Sequence, residues 1–356
     1  MTRKEPDEFF ELTQRDAHPN WRWAKHILTL VFFAAVAALL FMLVDNLHWQ
    51  EVKHALRAYQ HETLALGLVV ALISYIAFSG YDLLGRAYTR HHLPVRQILP
   101  VAFVCYAFNL NLSSWIGGVA MRYRLYSRLG LRISTITRVL SFSVFTNSLG
   151  YIIVAGFIFT AGWVKLPASW GVSTAALHLI GALMLILAAS YLLLCQFSTR
   201  RSWHWSSHEI HLPGFKLALA QAGLSTLNWL LMAWLIFLLL PDAVSYSAVL
   251  GILLISGIAG MIAQIPAGLG VLEAVFIGIL QHQLPTASIV AALIAYRVIY
   301  FLLPLMAACV VYVILEGKVW HWQRRARNNT VLNEVPGVIV VRSEAGEALH
   351  AAVDKR

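Results

Sequence analysis

The chain has 356 residues, is 59% hydrophobic and only 12% charged, and has a mean hydropathy of +0.68. Soluble domains carry about twice that charged fraction, so composition excludes an ordinary soluble fold and points to an all-α polytopic membrane protein. The formal net charge of +10 would suit nucleic acid, but the basic residues cluster beside apolar runs, where they meet anionic lipid headgroups and orient helices; no nucleic-acid partner is expected.

Residues 1–25 are polar and close on Trp21, Arg22, Trp23 and Lys25, an aromatic and basic interfacial anchor. The first apolar run, Ile27–Val44, is long for a signal-peptide core. It is followed by Asp45-Asn46-Leu47-His48 rather than a small-residue cleavage site, so it reads as an uncleaved helix. Further spans are expected near Leu64–Leu84, Ile136–Thr160, Ala175–Cys195, Phe215–Leu240 and Ile289–Leu315. The expected organisation is a cytoplasmic segment 1–25, a membrane domain 26–316 with halves 26–195 and 215–316, and a cytoplasmic tail 317–356. In that tail the Val338–Val341 run is too short to bury a core.

Two apolar segments, Ile98–Arg132 and Ala248–Leu284, are interrupted by small and polar residues. The first carries NLNLSSWIGGVAMRYR (Asn109–Arg124), and the second carries AQIPAGLGVLEAV (Ala263–Val275). Leu112-Ser113-Ser114-Trp115-Ile116-Gly117 aligns with Ile265-Pro266-Ala267-Gly268-Leu269-Gly270. Backbone at membrane depth must be paired, so such breaks belong where they are buried or line a cavity. Broken segments in corresponding halves mark transporter binding sites.

Eighteen Lys and Arg residues fall in the N-terminal segment, at Arg86–Arg96, at Arg122–Arg132, at Arg200-Arg201 and at Lys318–Arg327. The remaining connections hold Lys53, Arg57 and Lys165. This asymmetry places both termini in the cytoplasm. It also puts both flanks of Ile98–Arg132 on the cytoplasmic side. Ala248–Leu284 lies between two connections without Lys or Arg, around Asp242 and His282. The expected fold is therefore about six spanning helices plus two re-entrant helical hairpins of opposite direction, an inverted repeat. The alternative is a plain bundle in which both segments span.

Ionisable residues inside apolar segments are candidate functional groups. Glu273 follows the second break and Arg297 lies on the next helix, its natural partner, as a binding element or as a structural ion pair. Arg122 and Arg124 follow Gly117-Gly118; an arginine beside a Gly-rich break at a helix start suits phosphate, while Arg128 and Arg132 read as orientation signals. Asn109 and Gln264 precede the breaks, where they would cap freed backbone; Asn111, Asn147, Gln221 and Asn228 suit interhelical hydrogen bonds, with Gly150 and Gly156 as packing positions. Asp82 and Arg86, four apart, read as a local ion pair at a helix end. The WHWSSHEIH loop spaces His204 and His208 by four but lacks a second ligand cluster, so it reads as an interfacial loop, with no metal. Cys105, Cys195 and Cys309 lie in separate apolar segments without ligand spacing. No catalytic grouping, cofactor fingerprint or nucleotide loop is present.

The residues PAGLGVLE (Pro266, Gly268, Gly270, Glu273) and YRVIYFLLP (Arg297, Tyr300, Pro304), with Asn109, Gly117, Gly118 and Arg122 in the first half, resemble the transmembrane flippase region of the lysylphosphatidylglycerol synthase family, in its YbhN-like inner-membrane branch. The resemblance covers roughly Ile27 to Leu315. In the first half Ser113-Ser114 stands where many relatives carry Pro-Gly, and no acid precedes Arg122. It implies a bacterial inner-membrane protein that binds and translocates an anionic or modified phospholipid. Arg122, Arg124, Arg297, Glu273, Asn109 and Tyr300 would line the substrate site; Gly117, Gly118, Pro266, Gly268, Gly270 and Pro304 would shape the breaks. The lysine-transferring cytosolic domain of full-length members has no counterpart in this chain, so no enzymatic activity is expected. The alternative is a non-transporting scaffold or regulator of a phospholipid-synthesising enzyme.

Overall fold

The computed structural model describes residues 59–317, except 113, 165–172, 199–201, 206, 207, 264–267 and 269, together with 50 and 57. The expected helix Ile27–Val44 and the tail from 318 lie outside the described residues. The elements below belong to one compact unit, Gln60–Arg356.

In chain order they are α1 (His61–Thr89), α2 (Val95–Asn111), a π-helical segment (Ser114–Ala120), α3 (Met121–Arg128), α4 (Ile133–Thr160), α5 (Thr174–Phe197), strands β1 (Ser202–Trp205) and β2 (His208–His211), α6 (Phe215–Leu239), α7 (Tyr246–Ala263), α8 (Val271–Leu280) and α9 (Thr286–Gly317). Six described helices are long and apolar enough to span a membrane: α1, α4, α5, α6, α7 and α9. The protein is thus a polytopic helical membrane protein.

Two expectations change in detail. Tyr246–Ala263, within the segment expected as the second re-entrant hairpin, is itself of spanning length, 18 residues or about 27 Å. The WHWSSHEIH segment is no irregular loop but a β-hairpin pairing Ser202 with His211 and Trp205 with His208. Alternating Trp and His give a two-residue period that suits a strand.

α6 is the hub, packing against α1, α4, α5, α7 and α9. Its buried stripe carries Gln221, Ser225 and Asn228, and each finds a partner. The Gln221 amide donates to Thr146 Oγ1 on α4 (2.7 Å) and accepts from Tyr191 OH on α5 (2.8 Å). Asn228 Oδ1 accepts from Ser74 Oγ on α1 (2.8 Å). In hydrocarbon such bonds join helices that have no hydrophobic drive to associate. Gly150 lets α4 close onto the Ser225 backbone of α6, and Gly156 lets α4 close onto the Gly181 carbonyl of α5. The outer face of α5 is apolar, with Leu183, Ile186 and Leu187 more than half exposed, a surface for acyl chains.

The interrupted segments fold as packed arms. The π segment lies back along α2, so closely that a Cβ on Gly117 would strike the Phe108 carbonyl and one on Gly118 the Asn109 side chain. α7 packs likewise on α8, with Gly268 (φ +56°) and Gly270 (φ +79°) between them in the left-handed region that glycine tolerates best.

Candidate functional site at the helix breaks

In the first half, Asp82 on α1 is fully buried and receives Arg122 bidentately, Nη2 to Oδ1 at 2.8 Å and Nε to Oδ2 at 3.3 Å. Tyr126 OH donates to Oδ2 (2.7 Å), and Arg122 Nη2 also donates to Ser143 Oγ on α4 (3.1 Å). The Arg122 side chain is 6% exposed. This corrects the local Asp82–Arg86 pair. Asp82 points inward and takes Arg122 of α3, and Arg86 has no acidic partner among the described residues. Spacing along one helix favoured Arg86, but burial decides: a desolvated carboxylate needs a charge and several donors.

Arg124, two residues on, points away from that pair. It donates to Tyr312 OH (2.9 Å) and Glu316 Oε1 (2.9 Å) near the end of α9, where Arg128 also pairs with Glu316. Arg128, expected as an orientation signal alone, thus helps tie α3 to α9.

In the second half, Glu273 sits in the first turn of α8, where the helix dipole favours an acid. Arg297 on α9 grips it, Nε to Oε1 at 2.5 Å and Nη2 to Oε2 at 2.9 Å, and reaches the Gly268 carbonyl at 3.1 Å. The structure brings together the two residues that the sequence pairs. This pair is wetter than the first, with side chains 15% and 24% exposed, and the guanidinium lies 5.7 Å from the Phe301 ring centre.

Immediately after Arg297, α9 widens into a π-helical stretch, Val298–Leu302. Pro304 explains it: without an N–H it cannot bond the Tyr300 carbonyl four residues back. That carbonyl accepts instead from Tyr75 OH on α1 (3.0 Å), and the Phe301 carbonyl accepts from Asn111 Nδ2 on α2 (3.1 Å). Pro304 therefore lies within the last helix, which widens before it and continues to Gly317, rather than at a hairpin break. Tyr300 is fully buried and its hydroxyl joins Ser74 (2.7 Å) and Tyr106 (2.8 Å), in an aromatic cluster with Tyr75 and Tyr296. The nearby Tyr81 hydroxyl is buried with no partner among the described residues.

Asn109 is half-buried beside Gly118 and caps nothing among the described residues; Asn111 does that work. Pro266 and Gln264 lie outside the described residues. Sequence reasoning missed Asp82 as a site residue, and with it Ser143, Tyr126, Tyr75, Tyr106 and Glu316; an acid within an apolar helix was the signal available for Asp82.

Of the arginine–carboxylate contacts among the described residues, one lies beside each Gly-rich break: Asp82–Arg122 and Glu273–Arg297. A family model described as the lysylphosphatidylglycerol synthase TM region matches residues 27–308. The chain belongs to that family. Within it, the chain is 48% identical to inner membrane protein YbhN of Escherichia coli over 319 residues, covering 89% of this chain and 99% of that one. It is 32% identical to protein slr0712 of Synechocystis over 288 residues, 77% of this chain and 88% of that one. A Staphylococcus haemolyticus protein named phosphatidylglycerol lysyltransferase is 21% identical over 295 residues, 80% of this chain but 33% of that protein. The family region is a membrane domain, and this member is a multi-pass inner-membrane protein.

Proposed function

We propose that the chain binds and translocates a phospholipid with an anionic or modified headgroup. The observation that carries this reading is the placement of an arginine–carboxylate pair beside each of two Gly-rich breaks. Arginine presents a planar fork that matches phosphate, and a paired carboxylate lets that fork be stored in a low-dielectric interior until a phosphate exchanges with it. We assign Tyr300, Asn109 and Arg124 to the same lipid site, Arg124 from its position on Tyr312 and Glu316 rather than beside the Asp82–Arg122 pair. A relative named for phosphatidylglycerol shares the membrane region, which makes phosphatidylglycerol the first lipid to test; no aminoacyl transfer is proposed.

We place both termini in the cytoplasm and read the broken segments as re-entrant hairpins of an inverted repeat. Asp82 and Arg122, which touch, each lie about two turns before the end of their helices. This supports α1 and α3 reaching the same, basic face.

The test is a proteoliposome assay with fluorescent phosphatidylglycerol, read by quenching of the outer leaflet. The parent should equilibrate the probe, and Glu273→Gln should slow it by about tenfold or more if the pair is remade in each cycle. Equal rates in protein-free vesicles would refute translocation. One observation favours the scaffold reading instead: Arg122 and Tyr300 are sealed from the exterior. Under that reading the pairs serve assembly, and the probe stays in its leaflet while a phospholipid-synthesising enzyme co-purifies.

A further inference from the structure

A cavity of about 580 Å³ lies at the basic end of the bundle, away from both breaks. It is walled by the end of α1 (Tyr88, Arg90), by Arg138 near the start of α4, and by the β2–α6 connection (His211, Pro213) with Leu217. Tyr88 OH donates to the His211 carbonyl (2.7 Å) and its ring stacks on Phe142 (4.6 Å between centres), so this wall is fixed.

Two cations face this space. Neither Arg90 nor Arg138 has an acidic partner among the described residues. Arg90 caps the end of α1 and Arg138 lies on α4, and both are exposed at the cavity wall. α6 begins against the same cavity, at Gly214 with no side-chain cap. Its first bonds run from Leu217 and Ala218 to the Gly214 carbonyl, and the Phe215 and Lys216 N–H groups have no acceptor among the described residues. Two arginine forks over an apolar wall make a receptor for a tetrahedral anion carried on an amphiphilic or small organic body; the helix start adds to the field.

We propose that this cavity binds a phosphate group on the basic face of the membrane, as the docking station from which an anionic lipid is taken up. Its role as a loading site rests on the translocation reading above; its phosphate chemistry does not.

The experiment uses the full chain in phosphatidylcholine nanodiscs. One arm titrates phosphatidylglycerol into the disc and counts bound lipid by native mass spectrometry; the other titrates soluble glycerol 3-phosphate by calorimetry. The parent should retain phosphatidylglycerol over phosphatidylcholine. Arg90→Gln with Arg138→Gln should weaken it by about tenfold or more, because two charge-assisted contacts are lost. Leu217→Trp, which fills the cavity but keeps both charges, should weaken it as well, whereas Arg132→Gln, exposed and outside the lining, should not. If only glycerol 3-phosphate binds, with the same sensitivity to both variants, the phosphate site stands and its source is soluble. The proposal is overturned if neither probe binds above background, or if either variant binds like the parent. Vesicle assays keep the two readings separate: a parent that retains phosphatidylglycerol here yet does not move it sinks translocation alone.

Discussion

Asp82→Asn is the sharpest perturbation of the first site. It keeps the shape of the side chain and one oxygen acceptor but removes the charge that holds Arg122. The carboxylate now accepts three hydrogen bonds, two from Arg122 and one from Tyr126. The guanidinium does not deprotonate in proteins, so the variant leaves a cation 6% exposed with Ser143 as its remaining described side-chain partner. Breaking a buried pair by removing one partner costs about 3–5 kcal/mol. Arg122→Gln should cost a similar amount, through the stranded carboxylate. The double variant strands neither charge, so its cost should fall short of the sum by on the order of 2–3 kcal/mol. Reversible unfolding in mixed micelles, titrated with denaturing detergent, gives all four corners of this cycle. Additivity within about 0.5 kcal/mol would mean that the two residues do not act as a pair, and the site described above would not exist in the membrane.

Glu273→Gln with Arg297→Gln should couple more weakly in the same cycle, by on the order of 1–2 kcal/mol, because that pair is partly wet. Tyr75→Phe should cost about 1 kcal/mol in the parent but less beside Pro304→Ala, since alanine returns an N–H to the Tyr300 carbonyl that Tyr75 now serves; equal costs in both backgrounds would separate the proline from the π stretch. Gly117→Ala should abolish stable expression, while Gly223→Ala, with open space around it, should not; comparable yields would refute the close packing of the π segment on α2. His91, in the α1–α2 connection, has its pKa held below the usual value, first by burial and then by Arg86. The unfolded chain therefore binds the proton more readily, so the neutral ring's contribution to stability is present above about pH 6.5 and lost as pH falls below it. His91→Gln should flatten unfolding curves compared at pH 7.5 and pH 5.5.

Much of the fold was legible because hydrocarbon imposes a length and a composition. The runs at Leu64–Leu84, Ile136–Thr160, Ala175–Cys195 and Ile289–Leu315 each fall within a described helix of spanning length, and Phe215–Leu240 overruns its helix by one residue. Tyr246–Ala263 also has that length, so length alone does not separate a span from a hairpin arm. The Glu273–Arg297 pair was legible because each is an isolated charge near a break, on consecutive helices. Asp82 was not, since a nearer arginine stood four residues away and sequence spacing carries no information about which face is buried. The β-hairpin at Ser202–His211 was obscured by reading its histidines for helical ligand spacing. Pro304 was recognised as a breaker, but its consequence, a carbonyl handed to Tyr75 across the bundle, depends on which helices meet.

The two pairs divide their charges in opposite ways. In the first half the short helix α3 supplies the cation, Arg122, and the long helix α1 supplies the acid, Asp82. In the second half the arm supplies the acid, Glu273, and the long helix α9 supplies the cation, Arg297. The difference follows from how each arm begins. α8 starts afresh after Gly270 with no side-chain cap among the described residues, and the dipole of its first turn favours an acid. α3 continues directly from the π segment, so no new helix end opposes a cation there. Each pair is neutral as assembled, yet an arriving phosphate would meet a cation on a short helix in one half and on a long helix in the other. If either pair opens during function, the short arm is the element with less packing to lose. The first half would then move its arginine, while the second would move its carboxylate and leave the arginine in place. Cysteine accessibility at Leu125 and at Val275, followed with and without phosphatidylglycerol, separates these cases: a change at both supports two moving arms, and protection unchanged at both would mark the pairs as fixed structural joints.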